Sequence, residues 1–110
     1  MTVHVHESER SRKPGPAHES QLLIGEEQGA SHGFCMGVSY YMEEGYGAAG
    51  VHDDQEGFYV LEGTGTAKVG DIEFAIRPGS SFIAAVGVTH SIKRDPGSQA
   101  VKVLWSHGAG

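Results

Sequence analysis

The sequence predicts an all-β protein, a double-sheet jelly roll or barrel, and three observations carry that expectation. Seventeen glycines and four prolines in 110 residues supply frequent turns. The segments between them are short and alternate apolar with polar residues, the period-2 pattern of half-buried strands. No window holds apolar residues at helical spacing, so little or no helix is expected. A chain of about nine or ten such strands closes its sheet edges best when two sheets fold face to face.

Residues 1–20 read as an N-terminal arm, with Val3 and Val5 alternating with His4 and His6 in a short strand suited to a dimer. His4 and His6 copy a two-histidine ligand spacing, but on an arm they are expected to face solvent. Residues 11–16 are a Pro-Gly-rich loop on which no structure is forced. The barrel spans 21–107 and opens with a strand over 21–24, closed by Gly25 and Gly29. The next strand, 34–42, places Phe34, Met36, Val38 and Tyr40 on one face and Cys35, Gly37, Ser39 and Tyr41 on the other. Cys35 is thus expected to be a small, inert strand residue rather than a nucleophile. The glycine-rich loop over 45–50 lacks the Lys-Ser/Thr pair and the following helix of a phosphate loop.

Further strands are expected at 57–62, 66–69 and 71–76, the last two joined by a hairpin turn at Gly70-Asp71. Arg77, Pro78 and Gly79 turn the chain into a strand at 81–84, and another follows at 88–94. Asp95, Pro96, Gly97 and Ser98 form a strong turn signal before the final strand, 99–107. Trp105 on that strand is expected in the core or an interface, with its N–H bonded.

Composition excludes several function classes. With 38% hydrophobic and 20% charged residues, the chain is an ordinary globular domain. No apolar run approaches the roughly 20 residues of a membrane helix, and no secretory apolar segment follows the N-terminus. One cysteine cannot form an internal disulfide, which fits a cytoplasmic protein. The net charge of −6 argues against a nucleic-acid partner. No Lys or Arg occurs between Lys13 and Lys68, whereas Glu43, Glu44, Asp53, Asp54, Glu56 and Glu62 all fall in that gap. It is a solvated acidic surface or the rim of a cation site.

The chemistry concentrates in His52, Asp53, Asp54, Gln55 and Glu56, followed by an apolar run to Gly63. In one straight strand, residues four apart stand roughly 13 Å from each other, too far for bonds of about 2 Å to a single metal. His52 and Glu56 therefore converge only if the residues between them turn, and aspartates favour turns.

This stretch resembles the first motif of the cupin superfamily, G-x5-H-x-H-x3,4-E-x6-G, on which His52, Glu56 and Gly63 fall as the second His, the Glu and the closing Gly. Gly50 stands at the first His, and Gly45 lies one residue later than the opening Gly. The second motif, G-x5-P-x-G-x2-H-x3-N, is met by Gly87 and His90, with Ala85 at the Pro and Arg94 at the Asn. The likeness runs over residues 31–105. It implies a cupin barrel, a double-stranded β-helix, in which His52, Glu56 and His90 meet and hold one divalent transition metal (Fe, Mn, Zn, Ni or Co). Two imidazoles and one carboxylate are the 2-His-1-carboxylate ligand set of many non-haem Fe(II) enzymes. Water, substrate, Asp54 or Gln55 is available for the place that Gly50 vacates. By alternation from His90, Arg94 faces inward as a fork for an anionic group, and Gln55 is a second candidate substrate contact.

Two functions follow. The first is a small metalloenzyme of dioxygenase, isomerase or cyclase type acting on a small oxygen-rich molecule. The second is a non-catalytic cupin module that binds a metabolite or sugar without metal. Fold alone does not choose between them. The resemblance and the exposed apolar strand faces further imply a homodimer.

Overall fold

Alternating apolar residues can bury one face of a strand only against a second layer, and the chain supplies both layers itself. The computed structural model describes residues 2–15 and 17–108. Its strands are β1 (Lys13–Pro14), β2 (Glu19–Ile24), β3 (Cys35–Tyr41), β4 (Gln55–Glu62), β5 (Gly65–Val69), β6 (Ile72–Ile76), β7 (Ser81–Ala84), β8 (His90–Arg94) and β9 (Val101–Gly108). They form a six-stranded sheet in the order β1-β2-β3-β9-β4-β7 and a three-stranded sheet in the order β6-β5-β8. All pairings are antiparallel. The all-β jelly-roll expectation holds. Among the described residues the only helical elements are two short 3-10 turns, Glu7–Glu9 and Glu26–Gln28, and no helix is long and apolar enough to cross a membrane.

The core lies between the sheets. Tyr41, Phe58, Val60, Val101 and Val103 of the larger sheet face Ala67, Ile76 and Ile92 of the smaller one. Val60, Val101, Val103 and Ile76 are essentially sealed from solvent, each contributing about 1.5–3 kcal/mol by burial. Phe58 stacks on Phe82 at 4.6 Å, and Phe74 meets Phe82 edge-on at 5.2 Å. Trp105 lies on the same inner face, paired in register with Phe58 and Gly37. A Cβ at position 37 would stand 2.5 Å from Trp105 Cζ2, so only glycine lets the indole lie against β3. The hairpin turn at Gly70-Asp71 forms as expected, with Val69 paired to Ile72.

The N-terminal arm differs from its sequence expectation. Residues 2–6 form no strand, because His6 instead caps the 3-10 turn through its side chain and backbone. The arm strand is β1, inside the stretch read as loop, and it pairs with β2; Pro16 of that loop lies outside the described residues. The arm then folds back over its own sheet. Gln21 Nε2 donates to the carbonyls of Glu7 and Arg10 at 3.1 and 2.8 Å, and Tyr40 Oη donates to Gln21 at 2.7 Å. Lys102 pairs with Glu7 at 3.0 Å, and the Arg12 guanidinium lies 3.6 Å above the Tyr40 ring. Those contacts explain why β3 is buried on both faces from Gly37 to Tyr41.

One strand reaches further than its local pattern indicated, and the extension builds the site. β4 starts at Gln55 rather than 57 because Gln55 and Glu56 pair with Gly108 and His107 of β9. That pairing places Glu56 inside the sandwich, flanked by Ala84 on its other side.

Candidate metal centre

Three local devices bring the motif residues together. Residues 53–54 bend, turning the chain between His52 and β4. The His52 carbonyl accepts a hydrogen bond from the Gly87 N–H at 2.9 Å, tying the first motif to the second. Gly50 and His90 exchange both backbone hydrogen bonds, at 2.8 and 2.9 Å, which sets the start of β8 beside the His52 loop. A Cβ at position 50 would stand 2.8 Å from His90 Nε2. The His90 ring thus lies over the position where the motif has its first histidine, and a side chain there would have to displace that ring.

His52 Nε2 and His90 Nε2 each lie 3.3 Å from Glu56 Oε1. The three atoms lie within 4.8 Å of one another. The Glu56 side chain is 7% exposed and that of His90 9%, whereas His52 is 41% exposed and forms the solvent side of the cluster. Burial pushes the Glu56 carboxyl up to about 7, with the Asp54 charge adding to the rise and His107 opposing it. Burial also pushes the His90 imidazole below its ordinary range, assisted by His52. His90 is therefore held neutral, the form that ligates metals.

These atoms fit a divalent cation. Two bonds of about 2.0–2.2 Å to a common ion separate their ligand atoms by about 3 Å, near the separations found here. Glu56 Oε1 is buried and makes no hydrogen bond among the described residues, despite two imidazole nitrogens at 3.3 Å. A carboxylate oxygen so placed lacks the partner that buried polar atoms ordinarily have.

The cluster opens onto a cavity of about 240 Å³. Its polar lining includes His18, Ser20, Tyr41 and Ser91, its apolar lining Ala48, Ala49, Ile92 and Trp105, and among the described residues no Lys or Arg contributes. Burial raises the Tyr41 hydroxyl and keeps it a hydrogen-bond donor. His18 packs against Tyr41 with ring centroids 4.6 Å apart, and burial lowers its pKa. A larger depression of about 840 Å³ lies among Arg10, Leu22 and the 25–35 loop. It contains none of the clustered ligands, and its Arg10 is already paired to Glu27 at 2.7 Å.

The other expected contacts are placed elsewhere. Arg94 does not line the cavity: Nε donates to the Met42 carbonyl at 2.9 Å, Nη1 to the Ser98 carbonyl at 2.8 Å and the Asp95 carbonyl at 3.3 Å, and Nη2 pairs with Glu44 at 3.1 Å. Its inward alternation is overridden at the strand end, where loop carbonyls offer more acceptors than the sandwich. Gln55 is exposed, on an adjoining surface with Ile83 and Ser106. Cys35 is half-buried opposite His107. Burial and the nearby Asp54 and Glu56 charges raise its thiol, which stays protonated and a poor nucleophile.

The residue that sequence reasoning passed over is His107. Its Nδ1 lies 3.0 Å from Asp54 Oδ1 in a hydrogen bond, and its Nε2 lies 3.3 Å from Glu56 Oε2. His18 was likewise missed, hidden between the arm and the first barrel strand. Alternation along the last strand, 99–107, puts His107 on the face of Trp105 and Val103, which was the available signal. Nothing local joined it to a motif fifty residues earlier.

Residues 38–107 match the family described as Cupin domain. No curated protein matches the chain by sequence. Among solved structures, an RmlC-like cupin from Shewanella frigidimarina NCIMB 400 superposes with a TM-score of 0.79 at 15% identity, over 100% of this chain and 93% of that one. Hydroxypropylphosphonic acid epoxidase from S. wedmorenis, in complex with fosfomycin, gives 0.80 at 18% identity, with 96% of this chain covering 59% of the epoxidase. An FeII form of HppE gives 0.79 at 18% identity, over 96% and 60%. The polyketide cyclase RemF from Streptomyces resistomycificus gives 0.80 at 22% identity, over 97% and 79%. At these identities the superpositions establish the fold, while the family match covers most of the barrel that the motifs outline. The chain belongs to the cupin family.

Proposed function

We propose that this cupin holds one divalent transition metal on His52, Glu56 and His90 and uses it to transform a small oxygen-rich molecule, as a dioxygenase, isomerase or cyclase. The observation that carries the reading is Glu56 Oε1, buried, without a hydrogen bond, and 3.3 Å from two imidazole nitrogens. Fe, Mn, Zn, Ni and Co all accept two imidazoles and a carboxylate. Bound there, such an ion supplies a Lewis acid that polarises a substrate oxygen. The similarity to an epoxidase, an FeII form and a cyclase supports the enzymatic class.

The chain's own residues define the rest. Glu56 contributes one carboxylate and the histidines their ring nitrogens, so a bound cation would be the positive charge in a cavity to which, among the described residues, no Lys or Arg contributes. An acidic or carbonyl substrate group would be drawn toward it. Tyr41, Ser20, Ser91 and His18 offer neutral hydrogen-bonding groups for the remaining oxygens. A volume of about 240 Å³ admits a small molecule, and Ile92 and Trp105 wall its apolar side from water. We also infer a homodimer joined through the outer face of β4 and β7, where Tyr59 is 47% exposed and Ile83 57%.

Elemental analysis of untagged protein purified without chelator tests the centre. About one equivalent of metal is expected in the parent or after reconstitution, with at least a tenfold loss of affinity in His90→Ala and Glu56→Gln. A parent that stays sub-stoichiometric after reconstitution with each of the five metals overturns the centre. The cavity is then a metal-free site for a metabolite or sugar.

A further inference from the structure

Glu56 presents its two oxygens to different neighbours. Oε1 faces His52 and His90, while Oε2 faces His107. His107 is itself restrained. Its Nδ1 donates to Asp54 Oδ1 at 3.0 Å, its side chain is 14% exposed, and its ring packs edge-on against His52 and Trp105 with centroids 4.6 and 5.4 Å away. The β4–β9 register places the backbone of His107 directly opposite Glu56. Strand pairing, ring packing and the Asp54 hydrogen bond thus all determine where His107 Nε2 lies.

We infer that His107 is a positioning residue: fixed by Asp54 and by the β4–β9 register, its ring occupies the Oε2 side of Glu56, 3.3 Å away, and so leaves Oε1 facing His52 and His90. The inference rests on the metal centre proposed above. A carboxylate side chain has a freely rotating terminal torsion, and without a second contact either oxygen could face the histidines or neither. Restraint from outside the ligand set lowers the entropy lost when a ligand is fixed on a metal, and such partners ordinarily contribute 10–100-fold in affinity. Asp54 lies in the bend that brings His52 toward Glu56, so one residue links the turn to the orientation of the carboxylate.

His52, Asp54 and His107 also have ligand atoms within 4.8 Å of one another. Their geometry nonetheless differs from that of the Glu56 cluster. The Asp54–His107 contact is a formed hydrogen bond at 3.0 Å, whereas Glu56 Oε1 makes none. The first pair is satisfied by itself; the second cluster is not.

Co(II) titration against a competing chelator, with Cu(II) pulsed EPR to count bound imidazoles, tests the inference on parent, His107→Ala, His107→Gln and Asp54→Asn proteins. The parent is expected to bind one Co(II) and to show two imidazoles on Cu(II). His107→Ala weakens Co(II) binding at least tenfold while keeping two imidazoles. His107→Gln, which keeps a polar side chain of comparable reach beside Oε2, recovers part of the loss, and Asp54→Asn weakens binding in the same direction as His107→Ala. Affinity unchanged in both His107→Ala and Asp54→Asn overturns the positioning role and leaves the metal centre standing. Three imidazoles in the parent falling to two in His107→Gln make His107 a ligand. A second Co(II) equivalent lost in Asp54→Asn makes His52, Asp54 and His107 a second metal site; either result overturns the role. A parent that binds neither ion removes the metal centre and the positioning role together.

Discussion

Glu56 is a residue whose environment works against its ordinary ionisation. Its carboxyl rises from 4.5 to about 7, chiefly through burial. Between those values the folded protein holds more protons than the unfolded chain, so metal-free stability falls as pH rises. The contribution is fully present below about 4.5 and is lost as pH passes about 7, amounting to about 3 kcal/mol. His90 slopes the other way: its lowered pKa favours the folded state above its ordinary range and loses that advantage as pH falls. Glu56→Gln retains His90, so the difference between parent and variant isolates the carboxyl. Urea unfolding of metal-free protein from pH 4 to 8 is expected to show parent stability declining relative to Glu56→Gln. Parallel curves would contradict a buried, neutral Glu56. Metal addition is expected to raise the parent's melting temperature more at pH 7.5 than at pH 5, because ligation needs the carboxylate.

At the scale of elements, Arg94 shows how a strand end can divert a side chain from its alternation. Its guanidinium joins the 42–44 segment, the 95–98 turn and β8 through bonds to Met42, Glu44, Asp95 and Ser98. The Arg94 N–H also donates to the Glu43 carbonyl at 2.8 Å, so backbone and side chain fasten the same loop. Hydrogen bonds from a charged donor contribute about 1.5–3 kcal/mol each when well ordered, less at a partly exposed site. Arg94→Leu is expected to lower the melting temperature by several degrees and to leave Co(II) affinity unchanged. A variant as stable as the parent but weakened toward an anionic ligand would restore the sequence expectation of an inward clamp.

For the whole molecule, the two ends of the large sheet's outer face are treated differently. The arm covers the outer side of β2 and β3, and Gln21 and Tyr40 are buried beneath it. Among the described residues the outer side of β4 and β7 has no such cover, and Tyr59, Leu61 and Ile83 are exposed. A β-sandwich this small gains by burying such a face against a second copy. Light scattering after size exclusion at micromolar concentration is expected to give twice the 11.7 kDa chain mass. Tyr59→Arg with Ile83→Asp is expected to return it to the monomer. Monomer mass for the parent would refute the interface.

Much of this molecule was legible from residue order. Turn chemistry marks the strand ends, period-2 alternation marks the faces, and the spacing of His52, Glu56 and Gly63 carries the family pattern. These signals are local, because a turn or an alternation needs only its neighbours in sequence. The convergence of His52, Glu56 and His90 was an expectation of the same kind, drawn from two motifs. Three other features depended on distant pairing. The arm reads as a strand from Val3 and Val5, yet hydrogen bonds to Gln21 decide its path. Arg94 reads as inward, yet carbonyls of separate loops capture it. His107 reads as one more residue of the final strand, and only the register of β9 against β4 brings it to Glu56 and Asp54. Local order determined the fold and the motif; which nitrogen meets which oxygen was decided by antiparallel register, a relation between segments fifty residues apart that no local pattern encodes.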